Sequence, residues 1–180
     1  MLFSYQECVE KYGTDYRIKK ELKEGHLFMK ERGIYSDRQY VPELEIITKK
    51  YPEAIITLNS AFYYHGLTDT IPNQYYIATP KGKRKITDSR VKQIFDNSGA
   101  VSLGAITMNH DGIDIMIYGK ERLLVELIRN RSKISFDLYK ELIVSYRKIV
   151  NEIDVAVVSD YAYILPKTRM VMETIRKEVL

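Results

Sequence analysis

The sequence predicts an α+β protein in two parts that ends in helices. Three observations predict it. Two short helical patterns and a strand–turn–strand pattern follow one another within residues 4–36, strand-like runs alternate with turn signals from 54 to 118, and apolar residues recur at helical spacing from 120 onward. A chain of 180 residues suits one domain or two small ones, and a net charge of only +4 means that any anionic partner must be met by a local basic patch. One cysteine, Cys8, excludes an internal disulfide and suits a reducing cytosol. The N-terminus lacks the basic-then-apolar pattern of a signal peptide, and no window reaches the roughly 20 apolar residues of a membrane helix. A cytoplasmic protein with no membrane partner is expected.

The elements follow in order. Ser4 caps a helix through about residue 11, with Tyr5, Cys8 and Val9 at helical spacing, and Gly13 ends it. Thr14 or Asp15 caps a second helix that runs to 24, ahead of Gly25, and Ile18 and Leu22 form its buried stripe. Residues 27–29 and 34–36 read as strands joined by a turn over 30–33, with Gly33 supplying the backbone freedom. Residues 43–51 read as a helix stopped by Pro52. The apolar run 54–57 leads into a helical piece, LNSAFYYHGL, terminated by Gly66. QYYIATP reads as a strand, KGKRKITDSR as a charged connection, and GAITMNH and IDIMIYG flank Asp111-Gly112, a hairpin signal. Beyond 120, Leu123, Leu124, Leu127 and Ile128 make one helical stripe, and Phe136, Tyr139, Leu142, Ile143, Tyr146 and Val150 make another. Ile153, Val157 and Tyr161 make a third, before Pro166 breaks the pattern and a last helix begins. Apolar content thins at 37–41, which puts a domain boundary there, between 1–39 and 40–180.

Helix, turn, helix and hairpin is the order of a winged helix-turn-helix. The expected fold is therefore an N-terminal winged helix-turn-helix followed by a mixed α/β domain with a C-terminal helical bundle. With Ile18 turned inward, Tyr16, Lys20 and Lys23 fall on the far side of the second helix, and Arg17 and Lys19 on its flanks. With Thr14 at the helix entry and Lys30 and Arg32 at the hairpin turn, these are the candidate DNA contacts. Long cationic side chains reach phosphates and base edges, and lysine adds counterion release. The competing reading is an ordinary solvated face, diluted by Glu21, Glu24 and Glu31. Lys81, Lys83, Arg84, Lys85 and Arg90 form the densest basic segment. It is either a solvated loop or an anion-binding surface, which Arg122, Arg129 and Arg131 would extend if the fold brings them alongside.

Little in the sequence points to catalysis. His65 stands at a helix end with no cysteine or acid at matching spacing, so a hydrogen-bonded structural role is expected. His26 and His110 lie at turns far apart, and Cys8 reads as a buried structural thiol. Asp111 and Asp114 sit around a hairpin tip, without the Gly-Ser loop and paired aspartates that a nucleotidyltransferase needs. There is no phosphate-cradling glycine loop. No catalytic residue, metal or cofactor is expected.

The stretches ERGIYSD and YPEAIITLNSAFYYHGLTDTIPNQYYIATPKGKR together resemble the AbiEi family of abortive-infection antitoxins, from type IV toxin–antitoxin systems. The matching positions are Gly33 and Tyr35, then Tyr51 and Pro52, then Ser60, Ala61, His65, Gly66, Leu67, Thr68 and Asp69, then Pro72 and Tyr76. The later YGKERLLVELIRNR is similar to a family segment ahead of the C-terminal helices. The resemblance covers about residues 12–131 well and the rest loosely, and the run 60–69 is its most specific part. It implies a bacterial, cytosolic phage-defence antitoxin without enzymatic activity. The winged helix would bind inverted repeats at its own operon promoter as a transcriptional repressor, and the C-terminal part would neutralise a nucleotidyltransferase-type toxin. In one respect the chain departs from the family, which has a helix ahead of the first one here. Either 43–51 replaces that helix or the module is degenerate. Two alternatives stand beside this reading: a plain winged-helix regulator with an effector domain, and an enzyme of unrecognised chemistry. A neighbouring toxin gene would separate the first from the antitoxin, and a pocket of converging titratable groups would favour the second.

Overall fold

Ser4 starts the first helix by a reciprocal cap. Its hydroxyl accepts from the Glu7 amide at 3.2 Å while its own amide donates to the Glu7 carboxylate at 2.6 Å. A computed structural model describes all of residues 1–180. Contacts divide them into two units, Met1–Glu53 and Ala54–Leu180. The fold is mixed α+β.

The first unit contains β1 (Leu2–Ser4), α1 (Tyr5–Tyr12), α2 (Asp15–Glu24), β2 (Phe28–Glu31), β3 (Ile34–Ser36) and α3 (Glu43–Lys50). Thr14 caps α2, its hydroxyl accepting from the Arg17 amide at 3.3 Å, and Gly25 closes the helix in the left-handed region at φ 76°. The strands form an antiparallel sheet in the order β1-β3-β2. Strand β1 is not legible in the sequence, because three residues are too few for a periodic signal. It exists because it pairs with β3.

Alternation along these strands gives the sheet two apolar faces. Phe3 and Tyr35 join Cys8, Ile18 and Leu27 in one cluster, and Leu2 and Ile34 join Val41 and Ile46 in another. Helices α1 and α2 cover the first face, and α3 with the segment before it covers the second. The domain boundary therefore falls after Glu53 and not at 39/40. The thin stretch 37–41 is a surface connection that still delivers Val41 to the core. Lys49 reinforces the arrangement by reaching the Glu7 carboxylate at 2.6 Å. That hydrogen bond, with the Ser4 amide, holds the Glu7 pKa down at about 2. The hairpin turn is also tighter than expected. β2 runs on to Glu31 through an irregularity between Met29 and Glu31, which leaves Arg32 and Gly33 as the turn, with Gly33 at φ 83°.

The second unit contains β4 (Ile55–Ile56), α4 (Leu58–Tyr64), β5 (Tyr75–Pro80), β6 (Val91–Asp96), β7 (Ala105–His110) and β8 (Ile113–Tyr118). The helices α5 (Lys120–Arg129), α6 (Phe136–Lys148), α7 (Val155–Ile164) and α8 (Thr168–Glu178) follow. The sheet order is β6-β5-β4-β8-β7. Asp111 and Gly112, both at positive φ, make the expected tight turn between β7 and β8. Strand β6 escapes the sequence reading because it is a half-exposed edge strand whose alternation is blurred. It runs parallel to β5, and the connection 81–90 carries no helix. Gln93 staples that connection. Its side chain accepts from the Ile86 amide at 2.8 Å, and donates to the Thr79 hydroxyl at 2.8 Å and the Arg84 carbonyl at 3.3 Å.

Helix α5 packs on α4, α7 and α8. Its stripe of Leu123, Leu124, Leu127 and Ile128 is buried as expected, as are Tyr139, Leu142, Ile143 and Tyr146 of α6. Phe136, at the start of that stripe, is instead 60% exposed. On α7 the buried positions are Val158 and Ala162, flanked by Ile153 and Leu165, while Val157 and Tyr161 are half-buried. The inward face is thus rotated by one residue from the expected stripe. No helix is long and apolar enough to cross a membrane.

Candidate functional site

Helix α2 divides as its pattern predicts. Ile18 is buried at 2% exposure, Leu22 is half-buried, and Tyr16 stands 78% exposed. The cations around Tyr16 are not equivalent. Lys19 lies 2.7 Å from Asp15 and Lys20 3.8 Å from Glu24, both intrahelical pairs on the surface. Such solvent-exposed pairs contribute little, and a phosphate can displace them. Arg17, Lys23 and Arg32 are exposed and hold no acidic partner. Thr14 is committed to its cap. Lys30 departs from its expected place. It lies within β2, 5.1 Å from the Phe28 ring, and its ammonium donates to the Gln39 carbonyl at 2.6 Å. At the end of α2, Glu21, Glu24 and His26 bring one potential ligand atom each within 4.8 Å of one another. The groups are exposed or half-exposed, as acids near a helix end commonly are, so no metal is assigned to them.

The loop 81–90 leaves Lys81, Lys83, Arg84 and Lys85 exposed. Arg90 is used inside the protein. It forks onto Asp88 through Nε at 2.9 Å and Nη2 at 2.7 Å, closing the loop where β6 begins. The arginines proposed to extend this surface do not do so. Arg131 lies over Tyr139 and 3.3 Å from Glu178, Arg129 is 2.6 Å from Glu126, and Arg122 is 1% exposed.

Arg122 is the centre of a buried ionic network that the sequence reading did not find. Its guanidinium donates to the carbonyls of Ala100 and Leu103 at 3.2 and 3.1 Å, to Asp96 at 3.2 Å and to Glu126 at 3.0 Å. It also lies 4.5 Å over the Tyr118 ring. The connection between β6 and β7 has no strand partner for these carbonyls, and Arg122 takes that place. Burial alone would raise the Asp96 carboxyl. Hydrogen bonds from Ser98 together with Arg122 outweigh it and hold the group below the usual carboxylate range. Burial pushes the Tyr118 phenol up, and its hydroxyl donates to the Val101 carbonyl at 2.7 Å. The available signal was in KERLLVELIR. Every residue of α5 from Arg122 to Ile128 is buried, so its charged members have to find partners inside.

The run 60–69 does structural work. The Ser60 hydroxyl donates to the Gln74 carbonyl at 3.1 Å and accepts from the Tyr76 amide at 2.9 Å, fastening α4 to β5. His65 Nε2 donates to the Tyr118 carbonyl at 2.8 Å, and Gly66, at φ 67°, ends α4. The Thr68 hydroxyl donates to Glu141 of α6 at 2.6 Å.

No protein-family model matches the chain. No curated protein matches it either. Among solved structures, the chain is similar to the crystal structure of RV2827C protein from Mycobacterium tuberculosis, with a TM-score of 0.58 and 15% identity. The likeness covers 99% of this chain and 76% of that one. At that identity it bears on the fold alone.

Proposed function

We propose that residues 1–53 are a winged helix-turn-helix that binds duplex DNA, with α2 in the major groove and the β2–β3 turn over the flanking backbone. The observation that carries this is the divided surface of α2. Ile18 and Leu22 are turned inward, and Tyr16, Arg17, Lys20 and Lys23 outward, with Arg17 and Lys23 held by no acid. The succession β1–α1–α2–β2–β3 and the sheet order β1-β3-β2 support the reading, and α3 is our candidate for the third helix such a core needs. We take residues 54–180, with α5–α8 as a helical bundle, to be the part that neutralises a nucleotidyltransferase-type toxin. The chain would then be an antitoxin that represses its own operon. This second half rests on the sequence resemblance and not on the site.

The test is a fluorescence-anisotropy titration on the duplex from the gene's own promoter, across a range of salt. Replacing Arg17, Lys23 and Arg32 by alanine should leave the circular dichroism unchanged. It should weaken binding and flatten the slope of log K against log salt by about 0.9 for each lost phosphate contact. Unchanged affinity and slope would exclude this surface as the reader. Co-expression with the toxin encoded alongside, scored for growth, tests the antitoxin half separately.

A further inference from the structure

Helix α5 presents two stripes to the interior. One is the leucine-rich stripe described above. The other is polar: Arg122, Glu126 and Arg129 recur at the spacing of one helix face and are turned toward Ala78, Ile94 and Asp96 of β5 and β6. A helix stripe that meets a sheet is ordinarily apolar, because buried charge is costly unless it is fully partnered. Arg122 is fully partnered. Past it, helix and sheet do not close together. They leave a cavity of about 290 Å³, close to the lower size of small-molecule sites.

The lining holds four cations, Arg122, Arg129, Lys133 and Lys167, against two carboxylates, Asp96 and Glu126. Both carboxylates are already engaged. Asp96 accepts from Ser98 and Arg122, and Glu126 accepts from Arg122, Arg129 and Asn130. The positive excess therefore gathers at the mouth. There Lys133 is exposed with no partner, and the Ser132 hydroxyl is uncommitted. Lys167 turns the corner into α8 at φ 73°, a backbone region that non-glycine residues rarely occupy, and its ammonium reaches the Arg129 carbonyl at 2.9 Å. That bond ties the α7–α8 corner to the end of α5 and fixes one wall of the mouth. The floor is apolar, formed by Ala78 and Ile94, which face each other across β5 and β6.

We propose that this cleft binds a small phosphomonoester. The phosphate sits at the mouth between Arg129, Ser132 and Lys133, and the organic body lies on the floor over Ala78 and Ile94. The site lies wholly within residues 54–180, and it is independent of the DNA-binding reading. The test titrates the full-length chain with adenosine 5′-monophosphate and with inorganic phosphate, by calorimetry and by ¹H–¹⁵N correlation spectra. The expected result is saturable binding of the monophosphate, tighter than that of inorganic phosphate, with shifts at the amides of Ser132, Lys133 and Lys167. Lys133→Glu breaks no contact in the fold and should weaken binding by about tenfold or more, the scale of one charge-assisted hydrogen bond. Lys83→Glu with Lys85→Glu, in the loop 81–90, should leave binding as it is. Absence of saturable binding, equal affinity for the two probes, or wild-type affinity in Lys133→Glu would each overturn the proposal.

Discussion

Arg122 and Gly104 form a matched pair at the scale of single residues. Arg122 is buried among two carboxylates and two carbonyls, so its removal takes the charged donor from all four and leaves Asp96 and Glu126 with their remaining partners only. Arg122→Met should destabilise the fold by about 3–5 kcal/mol, read from urea unfolding, because the surviving carboxylates remain in a desolvated site. A loss below about 1 kcal/mol would mean that water enters and screens them. Gly104, at φ 72°, lies against the same side chain, and a Cβ there would come 2.7 Å from the Arg122 Cβ. Gly104→Ala combines a disfavoured backbone with that clash and should be destabilising too. His65 gives a pH signature. Burial holds its pKa below the ordinary 6.5, against the smaller opposing effect of the Tyr118 carbonyl. The unfolded chain therefore takes up a proton more readily than the folded one. Stability should be complete above about pH 6.5 and fall as the pH drops through that value. His65→Gln should flatten the change in melting temperature between about pH 7.5 and 5.5 relative to wild type. An identical slope in the variant would assign the pH dependence to other groups.

Helix α3 decides the boundary at the scale of elements. Its helical pattern was plain, but its partner was not. Only the sheet's second apolar face, made by Leu2 and Ile34, shows that Val41 and Ile46 belong to the N-terminal unit. Ile46→Ala should cost that unit about 2–4 kcal/mol, as other buried aliphatic truncations do. It should lower promoter binding only as far as it unfolds the unit. The measurement is hydrogen exchange, with loss of protection expected in β1 and β3. A loss confined to residues 54–180 would put α3 in the wrong layer. The hairpin argues the same way. Lys30 and Arg32 are two residues apart and look equivalent in sequence, yet extension of β2 to Glu31 directs Lys30 to the Gln39 carbonyl and leaves Arg32 at the turn.

Two units define the whole molecule, and a fragment experiment distinguishes the boundaries. A fragment that starts at residue 40 carries α3 without the sheet it covers, which exposes Val41 and Ile46. One that starts at Ala54 leaves that surface behind. The 54–180 fragment should fold cooperatively by circular dichroism and stay monodisperse. The 40–180 fragment should aggregate more readily, because it presents an unpartnered apolar face. If the proposed division of labour is right, 54–180 should also lose promoter binding and still relieve a companion toxin. A folded 54–180 fragment without protective effect would leave a plain regulator as the better reading.

The sequence by itself determined what depends on neighbours along the chain. The caps at Ser4 and Thr14, the stops at Gly13, Gly25 and Gly66, the Asp111-Gly112 turn and the inward stripe of α2 are local events. They are written in side-chain chemistry and helical spacing. The outward cations of α2 were legible for the same reason. Tertiary structure alone decided the rest, because it depends on pairing across distance. Strands β1 and β6 are too short or too exposed to announce themselves and exist through β3 and β5. The covered second face of the first sheet moved the boundary to Glu53. Arg90 and Arg122, alike as letters, were turned from a supposed basic surface to Asp88 and Asp96, since a cation that burial removes from water must be met by an acid or a carbonyl within reach, whereas Arg131 pairs with Glu178 while still exposed.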